Sequence, residues 1–266
     1  MNINDKVIWL TGASSGIGEE MAYQLCAKGA KLILSARREE ELIRVKNGCK
    51  GSWADQIKIL PLDLSKAEEL KAKANEAEGF YGHIDILINN GGISQRALVK
   101  DTEMSVYRKI MEVDYFGPIQ LSKLVLPGML KRKSGQQVII TSATGIISTP
   151  YRSAYAAAKH ALHGFYDALH AEVYDQNIRV TIIAPGYIQT NVSYNALTGS
   201  GEAQQKHDEG IQQGLTPTQA VKKIIKAIEN EKEEVYFGGF KEMMGVRIKR
   251  FFPGLFAKII RKTKVT

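Results

Sequence analysis

Tyr155 and Lys159 stand four residues apart in Tyr155-Ala156-Ala157-Ala158-Lys159. On a helix that spacing puts both side chains on one face. A tyrosine hydroxyl is a poor acid at neutral pH, with a free pKa of about 10. A neighbouring ammonium favours the phenolate and brings the proton closer to transfer. The pair could therefore pass a proton to or from a substrate oxygen. The same spacing also occurs on ordinary amphipathic helices, so the rest of the chain has to supply the context.

The second stretch with chemical content is Thr11-Gly12-Ala13-Ser14-Ser15-Gly16-Ile17-Gly18. It follows the apolar run Val7-Ile8-Trp9-Leu10, a buried strand candidate, and precedes Ile17, Met21 and Leu25 at helical spacing, with Gly29 as the expected C-cap. Strand, glycine-rich turn and helix form the context a dinucleotide site needs. Gly12 allows the tight turn, Gly16 lets the backbone approach a pyrophosphate, and Gly18 lets the helix pack on the sheet. The helix N-terminus then offers free N–H groups and its positive dipole end to phosphate. The next strand, Lys31 to Ala36, ends in Arg37-Arg38, with no acidic residue before Glu39. A carboxylate there would bind the two ribose hydroxyls of NAD; two guanidiniums suit a 2′-phosphate. The expected cofactor is NADP(H).

The elements that must position these residues alternate along the chain. Further apolar runs at 57–62, 84–88, 137–141 and 179–184 read as strands, and Val235-Tyr236-Phe237 as a seventh. Ser65-Lys66-Ala67-Glu68 and Thr216-Pro217-Thr218-Gln219 read as capping boxes that start helices. A long helical segment from about Thr102 to Leu126 should break near Gly117-Pro118. The expected fold class is α/β: a single domain with a Rossmann-type, doubly wound parallel sheet of about seven strands and helices on both faces. Residues 187–214 are polar and too long for an ordinary loop, and they follow the C-terminal end of a strand, where ligands bind. They read as a substrate-covering segment within a catalytic domain of residues 1–240.

Composition narrows the class. The chain has 266 residues, 44% hydrophobic and 24% charged, as for a soluble globular protein. No apolar run approaches a membrane span, and no signal peptide is read at the N-terminus. Cys26 and Cys49 fit no metal spacing or disulfide framework and read as free thiols in a reducing compartment. The expected location is cytoplasmic. The net charge is +8, but residues 236–266 hold eight basic residues against Glu242, a net +7, which leaves +1 for residues 1–235. The basic part is thus a C-terminal tail, residues 241–266.

With these motifs in place, the chain resembles the classical short-chain dehydrogenase/reductase family. The family's Thr-Gly-x-x-x-Gly-x-Gly matches Thr11 to Gly18, its Asn-Asn-Ala-Gly matches Asn89-Asn90-Gly91-Gly92 with Gly for Ala, and its catalytic serine falls on Ser142. Its Tyr–Lys pair falls on Tyr155 and Lys159, and its Pro-Gly followed by Thr on Pro185-Gly186 and Thr190. The resemblance covers residues 5–192. It implies an NAD(P)-dependent oxidoreductase, a homodimer or homotetramer, acting between a carbonyl and an alcohol. It implies that Tyr155 is the acid/base, that Lys159 assists it and holds the nicotinamide ribose, and that Ser142 stabilises the substrate oxygen. It also implies cofactor contacts along Gly12, Ser14, Ser15, Gly16, Ile17 and Gly18, at Asp63 and Leu64 beside the adenine, at Asn90 along the ribose, and at Pro185, Ile188 and Thr190 beside the carboxamide.

Two departures follow. The family's relay asparagine is replaced by Asp114, a carboxylate that cannot donate while ionised. Its place in the relay is open. The tail resembles that of members acting on lipophilic carbonyls. Leu255, Phe256, Ile259 and Ile260 recur at helical spacing after Pro253, opposite Lys258, Arg261 and Lys262. Three readings stay open: this face walls the substrate pocket, lies peripherally in a membrane interface, or meets another subunit. His160, His163 and His170 read as a helix surface or a subunit contact; no metal site is expected. Nothing reads as a nucleic-acid motif or a nucleophile elbow. The alternative function is a cofactor-sensing or scaffold protein with little turnover.

Overall fold

Every strand of the sheet runs in the same direction. The computed structural model describes residues 1–51 and 53–263; Lys264 of the basic tail lies outside the described residues. Strands β1 (Val7–Thr11), β2 (Lys31–Ser35), β3 (Ile57–Ile59), β4 (Ile86–Asn89), β5 (Gly135–Ile140), β6 (Ile178–Pro185) and β7 (Glu234–Phe237) stand in the order β3-β2-β1-β4-β5-β6-β7. Each neighbouring pair is parallel. β1, β4 and β5 are buried at every position, which is why apolar residues dominate β1 and β4; in β5 the buried Gln136 and Gln137 side chains donate to Thr181 Oγ1 and to the Ser122 carbonyl. The pleat divides each strand between two layers. Ile8 and Leu10 pack against residues of α1 (Gly16–Ala27), α2 (Glu39–Gly48) and α8 (Pro217–Glu229). Val7 and Trp9 pack against residues of α3 (Leu70–Tyr81), α5 (Gly117–Arg132) and α6 (Ser153–Val173). The chain winds outward from β1 to β3 and then crosses to β4, so the crevice at the β1–β4 strand ends is the switch point where such sheets bind ligands.

The structure changes three expectations. Ser65 does not start a helix. Its N–H and hydroxyl both donate to Asp63 Oδ1, at 3.0 and 2.8 Å, in a local turn, and α3 begins only at Leu70. The break in the long helix comes earlier than Gly117-Pro118: between α4 (Met104–Met111) and α5 lies a π-helical turn, Glu112–Phe116. Pro118 follows at once, its missing N–H falling where the backbone ladder changes from π-helical to α-helical spacing. The tail forms two helices, α9 (Phe240–Phe251) and α10 (Pro253–Ile260), where the sequence pattern suggests only the second. α9 carries Gly245 and Val246 inside it and has no buried residue, so no apolar stripe announces it. A short helix α7 (Glu209–Gln212) lies within the segment 187–214.

Candidate active site

The glycine turn takes the tight geometry expected at Gly12 and Gly18, and contacts with the Asn89–Gly92 stretch that the spacing does not show hold it in place. Gly12 and Gly16 have φ of 64° and 57°, in the left-handed region open to glycine. A Cβ on Gly12 would lie 2.7 Å from Gly91 Cα, and one on Gly18 would run into the Gly12 carbonyl. Thr11 Oγ1 accepts from the N–H groups of Asn90 and Gly91, at 3.0 and 3.1 Å. Asn90 Nδ2 donates back to the carbonyls of Thr11 and Gly12, at 3.1 and 3.2 Å. Asn89 is buried below and donates to Pro118 O, Ser122 Oγ and the Tyr166 hydroxyl. The two motifs therefore hold each other.

A cavity of about 1710 Å³ runs along these strand ends. Gly12, Ser14, Ser15, Gly16 and Ile17 line it, as do Arg37, Arg38, Asp63, Leu64 and Asn90, and Pro185, Ile188 and Thr190 close its other side. Gly18 is in the turn but not on the cavity wall; it serves the packing of α1 on β1. Thr190 faces the turn closely enough that a Cβ on Gly16 would meet its methyl at 3.0 Å. Burial would raise Asp63, but its bonds from Ser65 and the charge of Arg37 hold it below the ordinary carboxylate value. A turn kept open by Gly12 and Gly16 at a helix N-terminus, with two arginines at the far end, fits a dinucleotide.

The four candidate catalytic residues, Ser142, Tyr155, Lys159 and Asp114, all line this cavity. Tyr155 lies near the start of α6. There Ala154 N–H donates to Gln95 Oε1 at 3.0 Å, and Tyr107 and Ser153 share a hydrogen bond of 2.7 Å. One turn on, the Lys159 ammonium is 5.5 Å from the Tyr155 ring centroid. Ser142 follows β5, its Oγ accepting from Thr144 N–H at 3.2 Å. Asp114 projects from the π-helical turn and is fully buried. Its Oδ2 lies 3.3 Å from Lys159 Nζ, and its Oδ1 accepts from Ile93 N–H at 2.7 Å. Burial lifts the Asp114 carboxyl above its ordinary value, against the pull of Lys159. For Lys159, burial acts against the charge, and Asp114 with Tyr155 outweighs it, holding the ammonium above its ordinary value. A Cβ on Gly92 would reach within 3.0 Å of Asp114 Oδ2, so glycine there leaves room for the pair.

A second buried charge cluster, of which Arg96 and Arg152 reach the same cavity, has no sequence signal. Asp208 Oδ2 accepts from Arg96 Nε at 2.9 Å and from an Arg152 terminal nitrogen at 2.7 Å; Arg152 also donates to the Tyr187 hydroxyl at 3.0 Å. Arg152 immediately precedes α6, Arg96 is on the loop after β4, and Asp208 belongs to the 187–214 segment. The segment expected to cover the substrate is thus fastened to the loop and to the helix that carries Tyr155. Parallel bridges Gln95–Leu197 and Ile188–Leu215 fasten it further.

The tail closes one wall. Of the apolar face expected in the tail, Phe256, Ile259 and Ile260 line the cavity and Leu255 does not, being exposed; Met244 and Ile248 of α9 line it beside them. The histidines separate: His160 is exposed, whereas His163 turns toward the sheet, 3.0 Å from Thr141 Oγ1 and 3.3 Å from Glu234, and burial lowers its pKa. His163 is therefore not a surface residue. No group of three or more metal-ligating side chains occurs among the described residues.

Comparison with known proteins agrees with this geometry. The family model described as short chain dehydrogenase matches residues 6–200. The chain is 41% identical over 261 residues to the dehydrogenase/reductase SDR family member 7B of Mus musculus, covering 97% of this chain and 81% of that protein. It is 40% identical over 263 residues to the SDR family protein 7-like of Drosophila melanogaster, covering 98% and 81%. Among solved structures, a short-chain dehydrogenase from Streptomyces avermitilis superposes with a TM-score of 0.80 at 28% identity, covering 98% of this chain and 100% of that one. Family members are oxidoreductases that use a nicotinamide cofactor. The chain, with its seven-stranded parallel sheet and glycine turn, belongs to the short-chain dehydrogenase/reductase family.

Proposed function

We propose that the protein is an NADP(H)-dependent oxidoreductase that interconverts a lipophilic ketone or aldehyde and its alcohol. The observation that carries this is the meeting of Tyr155, Lys159 and Ser142 in one cavity with the glycine turn. The bound cofactor would supply or accept the hydride. Gly12 to Ile17 and the first turn of α1 would receive its pyrophosphate, and Arg37 with Arg38 its 2′-phosphate. Ser142 Oγ donates to the substrate oxygen and offsets charge developing there. Tyr155 passes its hydroxyl proton to that oxygen, or takes it back in the oxidative direction. Lys159 favours the phenolate left behind, and Asp114 fixes the position of the ammonium. The apolar wall from Met244 to Ile260 supports a lipophilic substrate.

Tyr155→Phe tests the acid. It should lower kcat by about 10²-fold or more while NADPH affinity stays nearly unchanged; a variant with over half the activity sinks the mechanism. Arg37→Ala tests the cofactor. It should weaken NADPH by about 1.5–3 kcal/mol and leave NADH little changed, and a wild type that prefers NADH refutes the assignment. One observation favours a second reading, a cofactor-sensing protein with little turnover: the Asp114–Lys159 pair takes up the charge that Tyr155 would use. Absence of NADPH oxidation with any ketone or aldehyde, despite tight NADPH binding, would select it.

A further inference from the structure

The C-terminal hairpin has an inner and an outer face. Inside, Phe256 is buried and lies against the cavity, with Lys249 Nζ 5.6 Å from its ring centroid. Outside, the turn between α9 and α10 presents Phe251, Phe252 and Leu255 at 69%, 64% and 51% exposure. Three large apolar side chains within five residues, all in water, mark a surface with a partner. Lys249, Arg250, Lys258 and Arg261 flank them along α9 and α10, all exposed and none ion-paired among the described residues. In residues 240–263 the one acid is Glu242.

The charge decides which partner. A second copy of the chain would set an identical cationic face against this one, with no carboxylates to answer it. An anionic lipid surface meets both demands: its headgroups attract the cations, and its acyl region receives the phenylalanines. No helix among the described residues is long and apolar enough to cross a membrane, so the contact is interfacial.

We propose that the α9–α10 hairpin docks the protein on an anionic membrane surface through Phe251, Phe252, Leu255 and the flanking lysines and arginines, so that a lipid-borne carbonyl compound enters the catalytic cavity from the bilayer. The same two helices form the docking face and the cavity wall, so the seated hairpin places the apolar side of the cavity beside lipid. The entry route rests on the oxidoreductase reading above; the docking does not.

The test uses the full chain and two sets of vesicles, phosphatidylcholine alone and phosphatidylcholine mixed with phosphatidylserine. The protein should co-sediment with the mixed vesicles at low salt and be released by added salt. The double variants Phe251→Ser with Phe252→Ser, and Lys249→Glu with Arg250→Glu, should each lower binding by about tenfold or more. Their thermal midpoints and NADPH affinity should stay at wild-type values. A second measurement does not depend on those variants: Phe252→Cys, labelled with an environment-sensitive fluorophore, should shift to the blue on mixed vesicles. Cys26 and Cys49 are buried and leave the label to that site. Docking is overturned if the wild type stays in the supernatant, if both double variants bind as the wild type does, or if the label does not shift. It is also overturned if the variants change only the oligomeric state in sedimentation velocity, which makes the face a subunit contact. Oxidation of NADPH with a water-soluble ketone, but turnover of a vesicle-borne long-chain ketone that is no faster in the wild type than in the Phe251→Ser with Phe252→Ser variant, overturns the entry route and leaves the docking supported, whereas binding to vesicles with no oxidation of either ketone overturns the oxidoreductase reading alone.

Discussion

In the proposed mechanism Asp114 sets a carboxylate, where the family has an amide, 3.3 Å from the Lys159 ammonium that assists Tyr155. The charge of Lys159 is thereby divided between Asp114 and Tyr155. Because burial raises Asp114, it takes up a proton at a higher pH than an ordinary carboxylate. Asparagine keeps the shape and cannot titrate. In Asp114→Asn the part of the acidic limb of kcat/KM that Asp114 contributes should vanish. Superimposable profiles would show that only the backbone matters there. The position of Asp114 can be counted off from the motifs, and so can those of Ser142, Tyr155 and Lys159. Its complete burial and the room Gly92 leaves for it cannot. The Arg96–Asp208–Arg152 cluster is illegible in sequence for a simpler reason. Its members are 112 and 56 residues apart, and no local pattern records a contact of that range.

Among the elements, the two capping boxes show when a local pattern is sufficient. Thr216 caps α8 as its sequence requires: its hydroxyl accepts from Gln219 N–H at 3.2 Å, and the Gln219 side chain accepts from Thr216 N–H at 3.0 Å. The apolar residues that follow, Ala220, Val221, Ile224 and Ile225, are buried on the sheet, so cap and packing agree. At Ser65 the neighbouring Asp63 offers a nearer acceptor, and the turn it makes delays the helix. Thr216→Ala should therefore cost about 1 kcal/mol of stability, read as a lower urea midpoint at unchanged slope. A loss of less than about a quarter of that would mean that packing alone sets the start of α8. The central strands were readable because they lie between two helical layers and are buried on both faces, which selects apolar residues at most of their positions. The π-helical turn and α9 were not, since neither has a period of its own.

For the molecule as a whole, the consequential residue is Asp208, because it joins the loop after β4, the start of α6 and the 187–214 segment into one body. Burial works against its charge, but Arg96 and Arg152 outweigh that and hold its carboxyl below the ordinary value. The sign of the pH effect follows. A carboxyl whose folded pKa is depressed contributes its full stability above the unfolded value of about 3.9, and loses it as pH falls through the folded value. Asp208→Asn keeps the shape and leaves two buried guanidiniums without their carboxylate. At neutral pH the variant should be less stable by about 3 kcal/mol, the lower range for breaking a buried ion pair. Below the folded value the wild-type carboxyl is protonated and as neutral as the amide, so the two proteins should converge. Urea midpoints measured from neutral pH into the acid range would show a gap that closes. A gap that stays constant across that range would mean that Asp208 acts through its hydrogen-bond geometry and not through its charge.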